Sequence, residues 1–170
     1  MISKPFSSWH VGVAAEAFAA AIFARCGLDV SVQYGANQPE YDLIVARDEK
    51  MLKISVKGSQ DGSWGLTQSH LADANYHGAV DAWLQRHKPH TAFCFVQFKG
   101  VSLSALPRIY LATPKEVAAR LKETAKGRGD TILYEAHEWG ARAHGTGTVE
   151  RMPEHWRFSL ERVEALLDEA

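Results

Sequence analysis

The sequence predicts a single α/β or α+β domain, and three features carry that prediction. Segments with the two-residue alternation of strands interleave with segments of helical periodicity. Glycine-, proline- and serine-bearing stretches separate them. At 46% hydrophobic and 23% charged residues, a chain of 170 has apolar mass for one core, residues 1–170 forming one unit. The expected order is helix, three strands, helix, two strands, helix, strand, helix.

Residues 9–26 read as a helix, with Ser7 or Ser8 as N-cap and Gly27 as the residue that stops it. Glu16 is its only charged residue between His10 and Arg25. A helix apolar nearly all round is expected to be buried on more than one side, with Glu16 partly desolvated among the small neighbours Gly12 and Ala20. Leu28, Val30, Val32 and Tyr34 then alternate as a strand, and Pro39 biases Gln38 toward an extended entry into the next one.

Residues 41–46 and 51–57 form the expected hairpin around Asp48 and Glu49. Its pairing sets Leu43 against Ile54, Val45 against Leu52 and Tyr41 against Val56 on an apolar face. The other face brings Asp42 opposite Ser55, with Lys57 on the neighbouring diagonal. A loop follows at 58–65, whose Trp64 is expected to fold back on the domain.

Residues 67–87 read as an amphipathic helix with Tyr76, Val80, Trp83 and Leu84 inward. His70, Asp73, His77 and Asp81 fall on its opposite face, where solvation explains them better than metal ligation. Arg86, His87, Lys88 and His90 suit the C-terminal end of the helix dipole, and a phosphate contact is the alternative. Strands are expected at 91–101, 108–112 and 131–139, and a loop at 140–153. Thr113, Pro114 and Glu116 start a capping-box helix that leaves Lys115, Arg120, Lys122 and Lys126 solvated, and Ser159 caps a last helix from Leu160.

Nineteen basic and twenty acidic residues give no global pull toward nucleic acid or an anionic membrane, so any such contact is local. Cys26 and Cys94 sit in apolar runs without a CxxC partner and read as two buried thiols in a reducing compartment. The N-terminal ten residues lack a signal-peptide pattern, and no apolar run approaches the roughly 20 residues that span a bilayer. The expectation is a cytoplasmic protein with no membrane contact.

Glu16, Asp42 and Lys57 can be assembled into one site. The two carboxylates offer hard oxygen ligands to Mg²⁺ or Mn²⁺, and Lys57 can orient or deprotonate a water or neutralise a phosphate. That chemistry is phosphodiester hydrolysis. The same residues also fit an ordinary cross-strand Asp42–Lys57 ion pair beside a locally bonded Glu16.

A helix with a lone glutamate, a strand, an acidic strand preceded by Pro39-Glu40, and a strand ending Val56-Lys57-Gly58 together resemble the PD-(D/E)XK nuclease-like superfamily over about residues 12–111. The resemblance implies a restriction-endonuclease-like α/β core with a central mixed sheet of about four to six strands in the order α-β-β-β-α-β. The core would cover about residues 9–125, with a C-terminal extension beyond it. It also implies catalytic positions at Glu16, Asp42, Ser55 and Lys57, metal held by Glu16 and Asp42, and DNA, or RNA, as substrate. A homodimer or protein partner would help present that substrate. Ser55 departs from the family, which carries a carboxylate or glutamine there, and Glu40 could compensate from the loop. A catalytically inactive nuclease fold, used for binding nucleic acid or protein, is the alternative. A small-ligand or structural protein is a third.

Overall fold

The structure, a computed structural model, describes residues 7–33 and 40–170, so the expectations for Tyr34, Gln38 and Pro39 lie outside it. In chain order, α1 spans Ser8–Arg25, β1 Asp29–Val32, β2 Leu43–Arg47, β3 Lys50–Ser59, β4 Ser63–Gly65 and α2 Tyr76–Leu84. Then come β5 at Thr91–Gln97, β6 at Arg108–Ala112, α3 at Pro114–Glu123, β7 at Ile132–Tyr134, β8 at Ala136–Glu138, β9 at Val149–Arg151 and α4 at Leu160–Asp168.

The central sheet has five strands in the order β1-β2-β3-β5-β6. Only β3 and β5 are parallel, and their connection carries β4 and α2 across one face. This is an α/β fold with a mixed sheet, and α1, β1, β2, β3, α2 and β5 follow one another in the expected order, with β4 interposed.

Each sheet face has its own core. On one, Leu43, Val45, Leu52, Ile54 and Cys94 pack against Ala15, Ala19 and Phe23 of α1 and Val163 and Leu167 of α4. On the other, Phe93, Phe95 and Ala112 pack against Val80 and Trp83 of α2 and Val117 and Leu121 of α3. All seven residues of β5 are buried, which is why its sequence is apolar throughout from Ala92 to Val96 instead of alternating.

Several local expectations are corrected. Residues 67–87 are not one helix: a single 3-10 turn at Gln68–His70 is followed by Asp73 and Ala74 at φ 50° and 56°. The α2 helix starts only where the Asn75 side chain accepts the Gly78 N–H at 2.9 Å. The row His70, Asp73, His77 and Asp81 is therefore broken, and of the four only His77 and Asp81 lie on α2. Asp81 pairs with Lys122, and the His77 ring bonds to the Gly127 carbonyl at 2.9 Å.

Residues 131–139 split at Glu135, so that β7 pairs with β4 and β8 pairs with β9, a strand inside the expected 140–153 loop. The 91–101 strand ends at Gln97. Arg120 is held by Glu150 at 2.6 Å instead of being solvated. Cys26 is half-buried, whereas Cys94 is buried, and both are free thiols. The α1 helix buries one side only: Val11, Ala15, Ala19 and Phe23 face the sheet, and Trp9 and Val13 are 69% and 47% exposed.

Candidate functional site

The β2–β3 ladder follows the expected register from Arg47–Lys50 through Leu43–Ile54. Beyond that pair the strands part. The Asp42 N–H donates to the Ile54 carbonyl at 2.8 Å, while the Val56 N–H donates to Asp42 Oδ2 at 2.6 Å. A side chain thus takes over where the ladder ends, and a charge-assisted bond fixes the carboxylate on β3. Tyr41 does not join the apolar face opposite Val56: its ring lies 5.5 Å from Lys53 Nζ.

Two contacts set the far end of β3. Trp64 folds back as expected, buried and edge-on to Phe95, and its Nε1 donates to the Lys57 carbonyl at 2.9 Å. Next to Lys57, Gly58 lets α1 come so close that a Cβ there would sit 2.8 Å from Ala15 Cβ and from the Val11 carbonyl oxygen. Glycine is thereby required by the close approach. Ala15 is the neighbour of Glu16, so the same approach brings the helix carboxylate to the site.

Asp42 and Lys57 both lie close enough to Glu16 for their charges to act on it. Desolvation pushes the Glu16 carboxyl above its usual range, the negative charge of Asp42 pushes it further, and Lys57 pulls the other way. No ion pair joins Lys57 to Asp42 or Glu16 among the described residues, so the cross-strand pair does not form.

Lys57 also opens onto a cleft of about 380 Å³. Ser55, 2% exposed, lines it from β3, and Glu40, His70, Arg86 and His87 line it as well. Glu16 and Asp42 lie outside that lining, and Lys57 links the two places, since its charge acts on both Glu16 and His87. Glu40 does reach the cleft, with Oε1 accepting the Lys88 N–H at 3.1 Å. Among the described residues, no three or more His, Cys, Asp or Glu are grouped to hold a metal ion, so Glu40 does not complete a triad with Glu16 and Asp42.

His87 is the member of this cleft with the least ordinary surroundings. Its ring is wedged edge-on between Trp83 and Phe93, at 4.4 and 5.0 Å between centroids. Both ring nitrogens are buried, with no hydrogen-bond partner among the described residues. Burial lowers its pKa, with Glu40 opposing and Lys57 and Arg86 reinforcing the fall. The run of basic residues after α2 was the sequence signal for this wall; Glu40 and His70 come from loop and turn positions that periodicity does not place.

The chain is similar in structure to a bacterial homing endonuclease, I-Ssp6803I. The likeness has a TM-score of 0.51 and 14% sequence identity, and covers 96% of this chain and 95% of that one. At that identity it shows a shared fold and nothing of residue roles. No family model and no curated protein matches the sequence.

Among the described residues, no helix is long and apolar enough to cross a membrane.

Proposed function

We propose that this chain is a metal-dependent nuclease of PD-(D/E)XK type that hydrolyses phosphodiester bonds in DNA. The observation that carries the reading is the convergence on Glu16 of Asp42 and Lys57, a part-buried carboxylate with a second one near enough to disfavour its charge, beside a lysine that pairs with neither. The nuclease neighbour of the same fold supports it.

Glu16 and Asp42 fit a Mg²⁺ or Mn²⁺ ion, because such ions bind through one or two carboxylates and keep several waters. Repulsion between two partly desolvated carboxylates is what a cation relieves. When bound, the ion would supply Lewis-acid charge to a phosphoryl oxygen. Asp42 is held in place by Val56, and Glu16 by the α1 approach at Gly58. Lys57, exposed at the cleft, orients the attacking water or meets the charge that grows on the phosphate.

The test is conversion of supercoiled plasmid to nicked circles by purified protein, in Mg²⁺ or Mn²⁺ against EDTA. Metal-dependent nicking is expected, and intact plasmid under both metals contradicts the reading.

A second reading, a nuclease fold that binds nucleic acid without cutting it, is favoured by one observation. Ser55 on the cleft wall supplies a hydroxyl where a carboxylate would be a third hard ligand. Gel retardation of duplex DNA by a protein that never nicks it would give this reading the lead.

A further inference from the structure

Beyond His87 lies a second cavity of about 400 Å³, and His87 lines both. Its lining includes Lys88, His90 and Lys115, and also the carboxylate-bearing Glu169. Thr91, 4% exposed, also lines it, and its hydroxyl is buried with no hydrogen-bond partner among the described residues. Thr91 opens β5 and pairs in register with Lys53 of β3, two residues before Ser55 pairs with Phe93. The two cavities are thus successive stations along the same pair of strands.

Three polar atoms at this junction, both His87 nitrogens and the Thr91 hydroxyl, have no hydrogen-bond partner among the described residues. Buried polar groups left unsatisfied cost free energy, and each calls for an explanation. His87 can donate one ring N–H, or two when protonated, and Thr91 one O–H. Donors beside the two cations Lys88 and Lys115 suit a phosphate, and an apolar ligand would leave them all unsatisfied.

We infer that His87, Thr91, Lys88 and Lys115 form a second phosphate subsite, so that the substrate is a nucleic-acid strand running from the Lys57 cleft across His87 and not an isolated phosphate ester. The inference rests on the nuclease reading for the identity of the first phosphate. It absorbs the basic run 86–90 as strand-binding residues, and confines the electrostatic drive to one wall of a chain whose net charge is −1.

The test is fluorescence anisotropy of a short labelled duplex, and of its single strand, in EDTA so that binding is read without cleavage. His87→Phe keeps the ring packing against Trp83 and Phe93 but removes both nitrogens. It should weaken binding about tenfold, the ratio for one lost hydrogen bond to an ionised group. Its melting temperature should hold or rise, since two unsatisfied atoms are gone. Lys88→Ala with Lys115→Ala should lower the slope of log affinity against log salt by about 1 per lost phosphate contact.

Variants that bind like wild type, with the same slope, overturn the subsite, as does a wild type that binds neither probe at low salt. Metal-dependent nicking alongside unchanged variant binding would remove the subsite and leave the nuclease reading in place. Weakened variant binding without nicking by wild type would keep the subsite and remove the reading.

Discussion

The Val56 amide donates to Asp42 Oδ2 at 2.6 Å, and through that one bond the sheet and the proposed site depend on each other. Asp42→Ala would leave a buried amide unsatisfied, at a cost of about 1–3 kcal/mol. Asp42→Asn can still accept the bond through its amide oxygen. Urea unfolding should therefore show Asp42→Ala clearly destabilised and Asp42→Asn nearly wild type, with nicking lost in both.

Gly58 sets the distance between α1 and β3. A methyl group there meets Ala15 and the Val11 carbonyl at 2.8 Å. Gly58→Ala is expected to destabilise the protein by about 1–3 kcal/mol, the usual range for overpacking. Because relief requires α1 to shift, the variant should also lose divalent-ion stabilisation. A thermal melt with and without Mg²⁺ measures both effects.

Glu16 gives a prediction with a defined sign. Desolvation first, and then Asp42, raise its folded-state pKa above the unfolded value. The folded state then holds the proton more tightly, so this group's contribution to stability falls as pH rises through that window. Without metal, Glu16→Gln should melt higher than wild type at neutral pH, and the difference should shrink as pH falls below the ordinary carboxylate range. With saturating Mg²⁺ the order should narrow or reverse, because only wild type gains from the ion.

Glu135 behaves in the opposite way. Burial would raise its pKa, but hydrogen bonds from Arg108 and Tyr110 and the charge of Arg108 outweigh that and lower it. Its stabilisation is full above the unfolded value and is lost as pH falls through the folded one. Glu135→Gln should cost about 1.5–3 kcal/mol at neutral pH, and the loss should fade under acid conditions in a pH series of urea melts.

The hairpin register and its buried face were legible in the sequence because Leu43, Val45, Leu52 and Ile54 alternate, and a one-residue slip would expose all four. Thr113 to Glu116 was equally legible, since a capping box is a local device whose residues find each other without tertiary help. The break before α2 was hidden because Asp73 and Ala74 adopt positive φ, an unusual choice for alanine that no spacing announces. Likewise Glu135 looks like a mid-strand residue until Arg108 and Tyr110, more than twenty positions away, draw its carboxylate inward.

For the proposed site, Asp42, Ser55 and Lys57 were singled out by strand parity, and Glu16 by its isolation in an apolar helix. The parting of the strands at Asp42 could not, because it depends on a side chain replacing a backbone acceptor. Nor could the meeting of Lys57 with His87, which depends on how α2 crosses from β3 to β5.

The most direct test of the central claim is the plasmid-nicking rate of wild type against Lys57→Ala in Mg²⁺, with both proteins shown to be folded by their melts. Metal-dependent cleavage by wild type and a loss of about 10²-fold or more in the variant is the predicted result. Equal rates, or no cleavage by wild type, would contradict it.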